Sequence, residues 1–489
     1  MWEAPTPELI LTPVSPSGTS FKLPTEFSPV TPTGPGGVGD GDGGENGDGG
    51  GGGHGKREWK EPSNKESAMA ILKSNYLNVL IIFVPISWAL HFAKVGDTAV
   101  FLTSFFGIIP LASLLGFGTE ELTMRVGPTI GGLVNATLGN VVELIVAILA
   151  LVKCELRIVQ SSLLGSILSN ILLVLGCCLF LGGARFSELY FKVGAAQLNG
   201  TILFMAVTSV LIPFGFHAAF DASIMDETEK PDLLKISRGT SIILILIYFG
   251  YLLSQLKTHK FLYDEERPGE SFRPPEEGYK VKMFKNIYLM RSVASNIDQI
   301  NREAKRSDEM VKVEEEEEEQ PQLNKLFIAL LLTSVAGLVG LTSEFLVDSI
   351  NGFAEKGGIS QEFVGLIMLP IVGNAAEHWS AITAAWKGRM DLSMGIAIGS
   401  GIQISVFVIP LLVVIGWVIG KPLSLLFDPF EALSLFLGVL VTTQVIQAGR
   451  TTFLSGWCLL AIYTLIALAV WFYPQTAAAN LALDFFTCS

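Results

Sequence analysis

Eleven stretches of this 489-residue chain are apolar for about the length that crosses a bilayer, and they restrict its fold more than any other feature. They run over about 75–94, 98–117, 128–151, 158–181, 196–216, 239–256, 324–348, 362–386, 392–419, 430–447 and 453–472. A helix needs about 20 such residues to cross the hydrocarbon layer, within a range of about 17 to 25. Alternation at period two, the mark of a membrane barrel, is absent. The expectation is an all-α polytopic membrane protein with eleven transmembrane helices. Composition agrees, since charged residues make up 16% of the chain, against about 25% in soluble domains.

Charge is concentrated between and outside these stretches. The net charge of −13 owes much to the run Glu314, Glu315, Glu316, Glu317, Glu318, Glu319 and to acidic residues near the N-terminus. Without a basic face, nucleic acid is not an expected partner. The bilayer is, and nothing in the sequence indicates an oligomer. Residues 1–70 read as a disordered N-terminal region. Pro, Thr and Ser dominate its start, and Gly36 to Gly53 is almost entirely Gly, Asp, Glu and Asn. Such a segment cannot bury enough apolar surface to offset the entropy of ordering it.

No positively charged segment leads into a short apolar one, so no cleaved signal peptide is expected and the first span serves as the insertion signal. Lys56, Arg57, Lys60, Lys65 and Lys73 precede that span and place the N-terminus in the cytosol. Counting forward puts Lys192, Lys387, Arg389 and Arg450 on the same side, with Asp221, Asp226, Glu227 and Glu229 opposite. Lys153 and Arg157 oppose this orientation. The five cysteines show neither metal-ligand spacing nor a disulfide framework, and they read mostly as small apolar residues.

A charged segment over 257–322 divides the spans. It leaves 75–94 as a separate first helix, 98–256 as a first block of five and 324–472 as a second block of five. Five is odd, so the two blocks enter the membrane from opposite sides as inverted repeats. Such repeats place their binding site near the midplane, where they meet. The six glutamates of the linker read either as a solvated segment or as a device that attracts or senses a divalent cation.

The repeat is visible in the residues. Gly139-Asn140-Val141-Val142-Glu143 and Gly373-Asn374-Ala375-Ala376-Glu377 lie 234 residues apart, and Gly165-Ser166 and Gly399-Ser400 share that offset. A carboxylate at bilayer depth costs about 2.5 to 3.5 kcal/mol on insertion scales, and so marks a functional site by default. Asn and Glu three residues apart share a helix face. Gly139 and Gly373 permit close approach or local unwinding, and Pro370 removes a helical hydrogen bond one turn before the second motif. Ser400 and Gln403 can face the same cavity. Helix-to-helix hydrogen bonding is the plainer reading of each of these two alone. His378 adjoins Glu377, but adjacent helical side chains point about 100° apart. Helix packing is its plainer role, with proton relay as the alternative.

Two carboxylates, two amides and freed carbonyls make an all-oxygen site suited to a hard cation such as Ca²⁺. With the cation absent, paired carboxylates in a poorly solvated cavity favour protons; with it present, the charged form is required. Proton and cation then compete for the same oxygens. Neither a nucleophile arrangement nor a metal triad suggests an enzyme. A Na⁺-driven exchanger and a membrane-embedded cation sensor or scaffold are the competing readings. Glu344 and Asp348, near a span end, keep the sodium reading open.

Gly131 to Asn140 running through Glu143, and Gly373 to His378, supported by Gln160 to Asn170 and Gly399 to Pro410, resemble the cation/proton exchangers of the calcium/cation antiporter superfamily. The resemblance is specifically to the vacuolar Ca²⁺/H⁺ exchangers of fungi and plants. It covers about 70–473. It implies a mobile first helix, two inverted five-helix repeats and an acidic cytosolic helix at the Glu314 to Glu319 region. It also implies cation-binding roles for Glu143 and Glu377, with Asn140, Asn374, Ser400 and Gln403 in support. The implied activity is transport of cytosolic Ca²⁺, and sometimes Mn²⁺, into the vacuole in exchange for protons, with no prosthetic group.

Overall fold

Regular structure begins at a capping box. Glu66 N–H donates to Ser63 Oγ at 3.3 Å and Ser63 N–H donates to Glu66 Oε2 at 2.7 Å, opening helix α1 (Asn64–Lys73). The expectation of disorder as far as residue 70 is therefore corrected: Ser63-x-x-Glu66 satisfies two free amides and starts a helix inside that stretch. The computed structural model describes residues 61–126, 128–219, 229–259, 262–263, 272–273 and 320–473. Most of the N-terminal region, most of the linker and Glu314 to Glu319 lie outside the described residues.

Helix α2 (Tyr76–Phe92) begins as a 3₁₀ segment and is bent 88° from α1. Eight further helices are long and apolar enough to cross a membrane: α3 (Asp97–Val126), α6 (Leu156–Arg185), α7 (Val193–Ala218), α8 (Lys230–Thr258), α9 (Lys325–Gly357), α12 (Met390–Val418), α13 (Pro429–Ile446) and α14 (Phe453–Trp471). Among the described residues this gives eight candidate spans, or nine with the bent α1–α2 pair. The fold is that of an all-α polytopic membrane protein. The stretches expected over 128–151 and 362–386 are not continuous helices. The first splits into α4 (Pro128–Leu138) and α5 (Val141–Val152), the second into α10 (Gln361–Gly373) and α11 (Ala375–Trp386). The breaks fall at the motif asparagines.

A second pair of irregularities follows the same spacing. α6 contains a π-turn over Ser169–Val174 and α12 one over Ile404–Val408. The ends of these turns are 234 residues apart, as Asn140 and Asn374 are. π-turns inside long helices occur frequently at functional sites.

Polarity is inverted relative to a soluble protein. Leu246, Leu330 and Leu465 are exposed on the outer surface, while Asn140, Asn170, Asn374 and Ser400 are buried. That is the arrangement a hydrocarbon solvent requires. At one end, strand β1 (Glu188–Tyr190) pairs antiparallel with β2 (Phe272–Arg273) and with β3 (Arg450–Thr451), gathering three connections together. α6 leads from β1 to the other end, where Lys153 Nζ lies 2.5 Å from Asp348 Oδ1 and Arg157 pairs with Glu362. The two cations that opposed the expected orientation are thus matched by carboxylates. Beside them Cys154 is disulfide-bonded, against the expectation of apolar, unbridged cysteines, whereas Cys177, Cys178 and Cys458 are free.

Candidate ion-binding site

Asn140 and Asn374 occupy the N-cap positions of α5 and α11, with φ/ψ of −97°/29° and −94°/9°. An N-cap asparagine ordinarily turns its side chain back to a free amide of its own helix. Neither does so here. The amides are left for contacts across the interior, and each helix places its glutamate, Glu143 or Glu377, in its first turn. The helix dipole favours a carboxylate at that position.

The two motifs cross. A Cβ on Gly373 would stand 2.7 Å from Glu143 Oε1, and one on Gly139 would stand 3.7 Å from Glu377 Oε1. Each carboxylate therefore lies against the glycine of the other motif, an approach that a side chain at Gly373 would obstruct. Around them, Ser400 Oγ donates to Asn140 Oδ1 at 3.0 Å and Asn170 Nδ2 donates to Ser400 Oγ at 3.1 Å. Ser400 also neighbours Glu377. Among the described residues, Glu143 Oε1, Glu377 Oε2, Asn374 Oδ1 and Asn170 Oδ1 are buried without a hydrogen-bond partner. Unpaired buried oxygens are costly, and four of them in one region are a donor set for a hard cation. Glu143, Ser162, Ser166 and Gly373 help to line a cavity of about 30 Å³, space on the scale of one or two waters.

The expected residues do not all converge. Gln403 is buried one turn beyond Ser400. His378 turns to α6, with Nε2 3.3 Å from Ser169 Oγ, an arrangement that suits packing between helices. Pro370 does not unwind the motif: Asn374 N–H still donates to Pro370 O at 3.1 Å. The missing proline donor falls instead beside the π-turn over Val364–Met368. Gln160 is structural, donating to Ser424 O at 3.0 Å and Leu426 O at 2.9 Å. Glu344 and Asp348 both pair with Lys153 rather than extending the ion site. Sequence reading missed Glu431, buried in the first turn of α13, because it stands at the edge of a predicted span.

The sequence profile of the family described as sodium/calcium exchanger protein matches residues 97–257 and 326–472, the helices that carry both motifs. The chain belongs to this family. Within it, the exchanger is 45% identical over 474 residues to the vacuolar calcium ion transporter of Cryptococcus neoformans var. grubii, covering 87% of this chain and 78% of the relative. It is 38% identical over 405 residues to the Ca(2+)/H(+) antiporter of Synechocystis sp., covering 82% of this chain and 98% of that protein. Among solved structures, the selenium-substituted Ca2+/H+ antiporter protein YfkE matches with a TM-score of 0.61 and 28% identity, over 81% of this chain and 99% of that one. These relatives place the exchanger among the cation/proton exchangers.

Proposed function

We propose that this protein is a secondary active antiporter that moves Ca²⁺ across a membrane in exchange for protons by alternating access. It is a transporter and not an enzyme. The observation that carries the reading is the crossing of Glu143 and Glu377 onto each other's motif glycines, with an unpartnered buried oxygen on each. Protonated, the pair needs no cation; ionised, it needs one. A site empty and doubly charged is the state that desolvation penalises most, so proton and cation loading exclude each other.

The finer architecture in this reading is eleven crossings. α1 belongs to the segment before the first crossing, α2 is that separate first helix, α4–α5 and α10–α11 are each one broken crossing, and two inverted five-helix repeats follow. The matching breaks and π-turns at an offset of 234 support it. So does the three-stranded sheet: β1, β2 and β3 meet at one end only if an even number of crossings separates each pair. The repeats span 98–256 and 324–472, with 257–322 as the cytosolic linker.

Asn140, Asn374 and Ser400 position or supplement the two carboxylates, Gln403 extends the polar wall, and Gly139 and Gly373 permit the close approach. The names of the fungal relatives support a vacuolar membrane, and an N-terminus in the cytosol fits the sequence reading. Mn²⁺ is a second expected substrate on donor chemistry. Glu314 to Glu319 read as a solvated part of the linker, with attraction or sensing of a divalent cation on the cytosolic side as the alternative.

Radiolabelled Ca²⁺ uptake into proteoliposomes under an imposed pH gradient, without Na⁺, tests the function. Uptake driven by the proton gradient is the expected result. Uptake only under a Na⁺ gradient would favour sodium coupling, which the pairing of Glu344 and Asp348 with Lys153 argues against. Binding without flux would favour a sensor.

A further inference from the structure

Glu431 is a second buried carboxyl that the ion site does not use. Its residue is 3% exposed, and among the described residues its Oε1 has no hydrogen-bond partner. It lies beside the Ser161 hydroxyl and within electrostatic reach of Asp428 and Arg157. Arg157 pairs with Glu362, whose Oε2 is also buried and unpartnered. Tyr473 completes the surroundings, its hydroxyl donating to Asp428 at 2.9 and 3.1 Å. The two bonds from Gln160 to the 424–426 loop hold this cluster against α6.

Three carboxyls face one guanidinium here, so full ionisation would leave buried charge uncompensated. Asp428 accepts from Tyr473 and from the amides of Phe430 and Glu431 at 2.8 and 3.3 Å, and Glu362 is paired with Arg157. Glu431 has the Ser161 hydroxyl beside it and, among the described residues, an Oε1 without a hydrogen-bond partner. The cluster also adjoins the ion cavity: Ser162 and Ser166 line that cavity, and Ser161 is only about 8 Å along α6 from Ser166. Between them α6 and α10 pack closely. A Cβ on Gly165 would overlap Leu366 O, and one on Gly365 would meet Ser161 Cβ at 2.7 Å. A contact this tight suits passage by a titratable side chain rather than by bulk water.

We propose that Glu431 is a proton-carrying station between the Glu143–Glu377 site and the end of the bundle that bears Arg157. The proposal rests on the Ca²⁺/H⁺ antiport reading. When the site opens toward the Arg157 end and Ca²⁺ leaves it there, Glu431 passes its proton to the ion site and its carboxylate takes up another from the aqueous phase at that end. Arg157 balances the carboxylate in between. In the reverse direction the same two transfers run backwards, so no charge accumulates.

Purified full-length protein in proteoliposomes tests this. The unaltered protein should exchange Ca²⁺ for protons; its failure to do so would overturn the antiport reading and this proposal with it. Given wild-type exchange, Glu431→Gln should slow exchange by at least about tenfold and flatten its pH profile. Equilibrium ⁴⁵Ca²⁺ binding should stay within about twofold of wild type, and Glu431→Asp should recover part of the rate. Wild-type exchange with an unchanged profile in Glu431→Gln overturns the proposal, as does an equal loss of binding and exchange. If Glu431→Gln does not fold, Tyr473→Phe removes a hydrogen-bond donor to Asp428, beside Glu431, and should displace the pH profile of exchange. An unmoved profile in that variant overturns the proposal.

Discussion

Glu143 and Gly373 touch across the interior: the carboxylate of the first motif occupies the space where a side chain on the second motif's glycine would begin, 2.7 Å from its Cβ position. The glycine thus helps to set where the charge sits. Gly373→Ala should displace Glu143, and overpacking of this kind costs about 1 to 3 kcal/mol. Apparent Ca²⁺ affinity should fall by about tenfold or more while the protein stays inserted and monodisperse. Equilibrium ⁴⁵Ca²⁺ binding to the purified variant is the measurement, and unchanged affinity would separate the glycine from the ion site.

Glu143→Gln and Glu377→Gln each retain size and hydrogen bonding but remove half the charge opposing a dehydrated Ca²⁺. Removing one partner of a buried pair costs about 3 to 5 kcal/mol, so exchange should fall by roughly 10²- to 10⁴-fold in either variant. Flux under a pH gradient checks this, with thermal unfolding as a control for folding. Near-wild-type flux in either variant would show that the two carboxylates do not share the ion.

Ser400 bridges Asn140 and Asn170. Ser400→Ala leaves Asn140 Oδ1 and Asn170 Nδ2 without those bonds in a buried setting, a cost of about 1 to 3 kcal/mol for each unsatisfied group. The expected result is weakened Ca²⁺ binding together with a lower thermal midpoint. Ser400→Thr, which keeps a hydroxyl, should restore more of both than Ser400→Cys.

The glutamates were legible because a charge inside an apolar run is conspicuous without any tertiary information. The repeat was legible because its polar residues recur at one offset. Their crossing was not, since nothing local says that Glu143 will lie on Gly373 rather than on Gly139. The same holds for Asn140 and Asn374: at an N-cap, composition predicts capping, and only the surroundings turn the side chains away. Glu431 was overlooked at the edge of a predicted span, where a charge is expected to reach water. It is buried because Gln160, 271 residues earlier in the sequence, ties down the preceding loop. At Ser63 a capping box starts a helix where composition alone predicts disorder.

Outside the membrane, Glu61 joins α3 to the start of α9. Its carboxylate is 2.9 Å from Arg125 Nη1 and 3.6 Å from Lys325 Nζ. The hydrogen bond from Arg125, aided by the charges of Arg125 and Lys325, holds its pKa below the ordinary 4.5 despite an opposing burial effect. A depressed carboxyl contributes stability above its unfolded value and loses it as pH falls through the folded one. Protection from hydrogen exchange at Asn64–Lys73, relative to the intrinsic rate at each pH, should therefore fall as pH drops below about 4.5, more weakly at high salt, where exposed charges are screened. Glu61→Gln should remove that step. An identical pH response in this variant would assign the transition to another group.

Ion selectivity follows from the donors. The unpartnered oxygens of Glu143, Glu377, Asn374 and Asn170 come from side chains on three different helices, which can adjust their separations independently. Ca²⁺ accepts six to eight oxygens at about 2.3 to 2.6 Å in flexible geometry, whereas Mg²⁺ demands near-octahedral contacts at about 2.0 to 2.1 Å and sheds water reluctantly. A cavity of about 30 Å³ leaves little room for a hydrated ion. In proteoliposomes, Mn²⁺ should therefore compete with ⁴⁵Ca²⁺ uptake and Mg²⁺ should compete poorly, with Na⁺ ineffective because Glu344 and Asp348 are engaged by Lys153. Equal competition by Mg²⁺ and Ca²⁺ would mean that the cation keeps much of its water when bound, and that the two glutamates do not grip it directly.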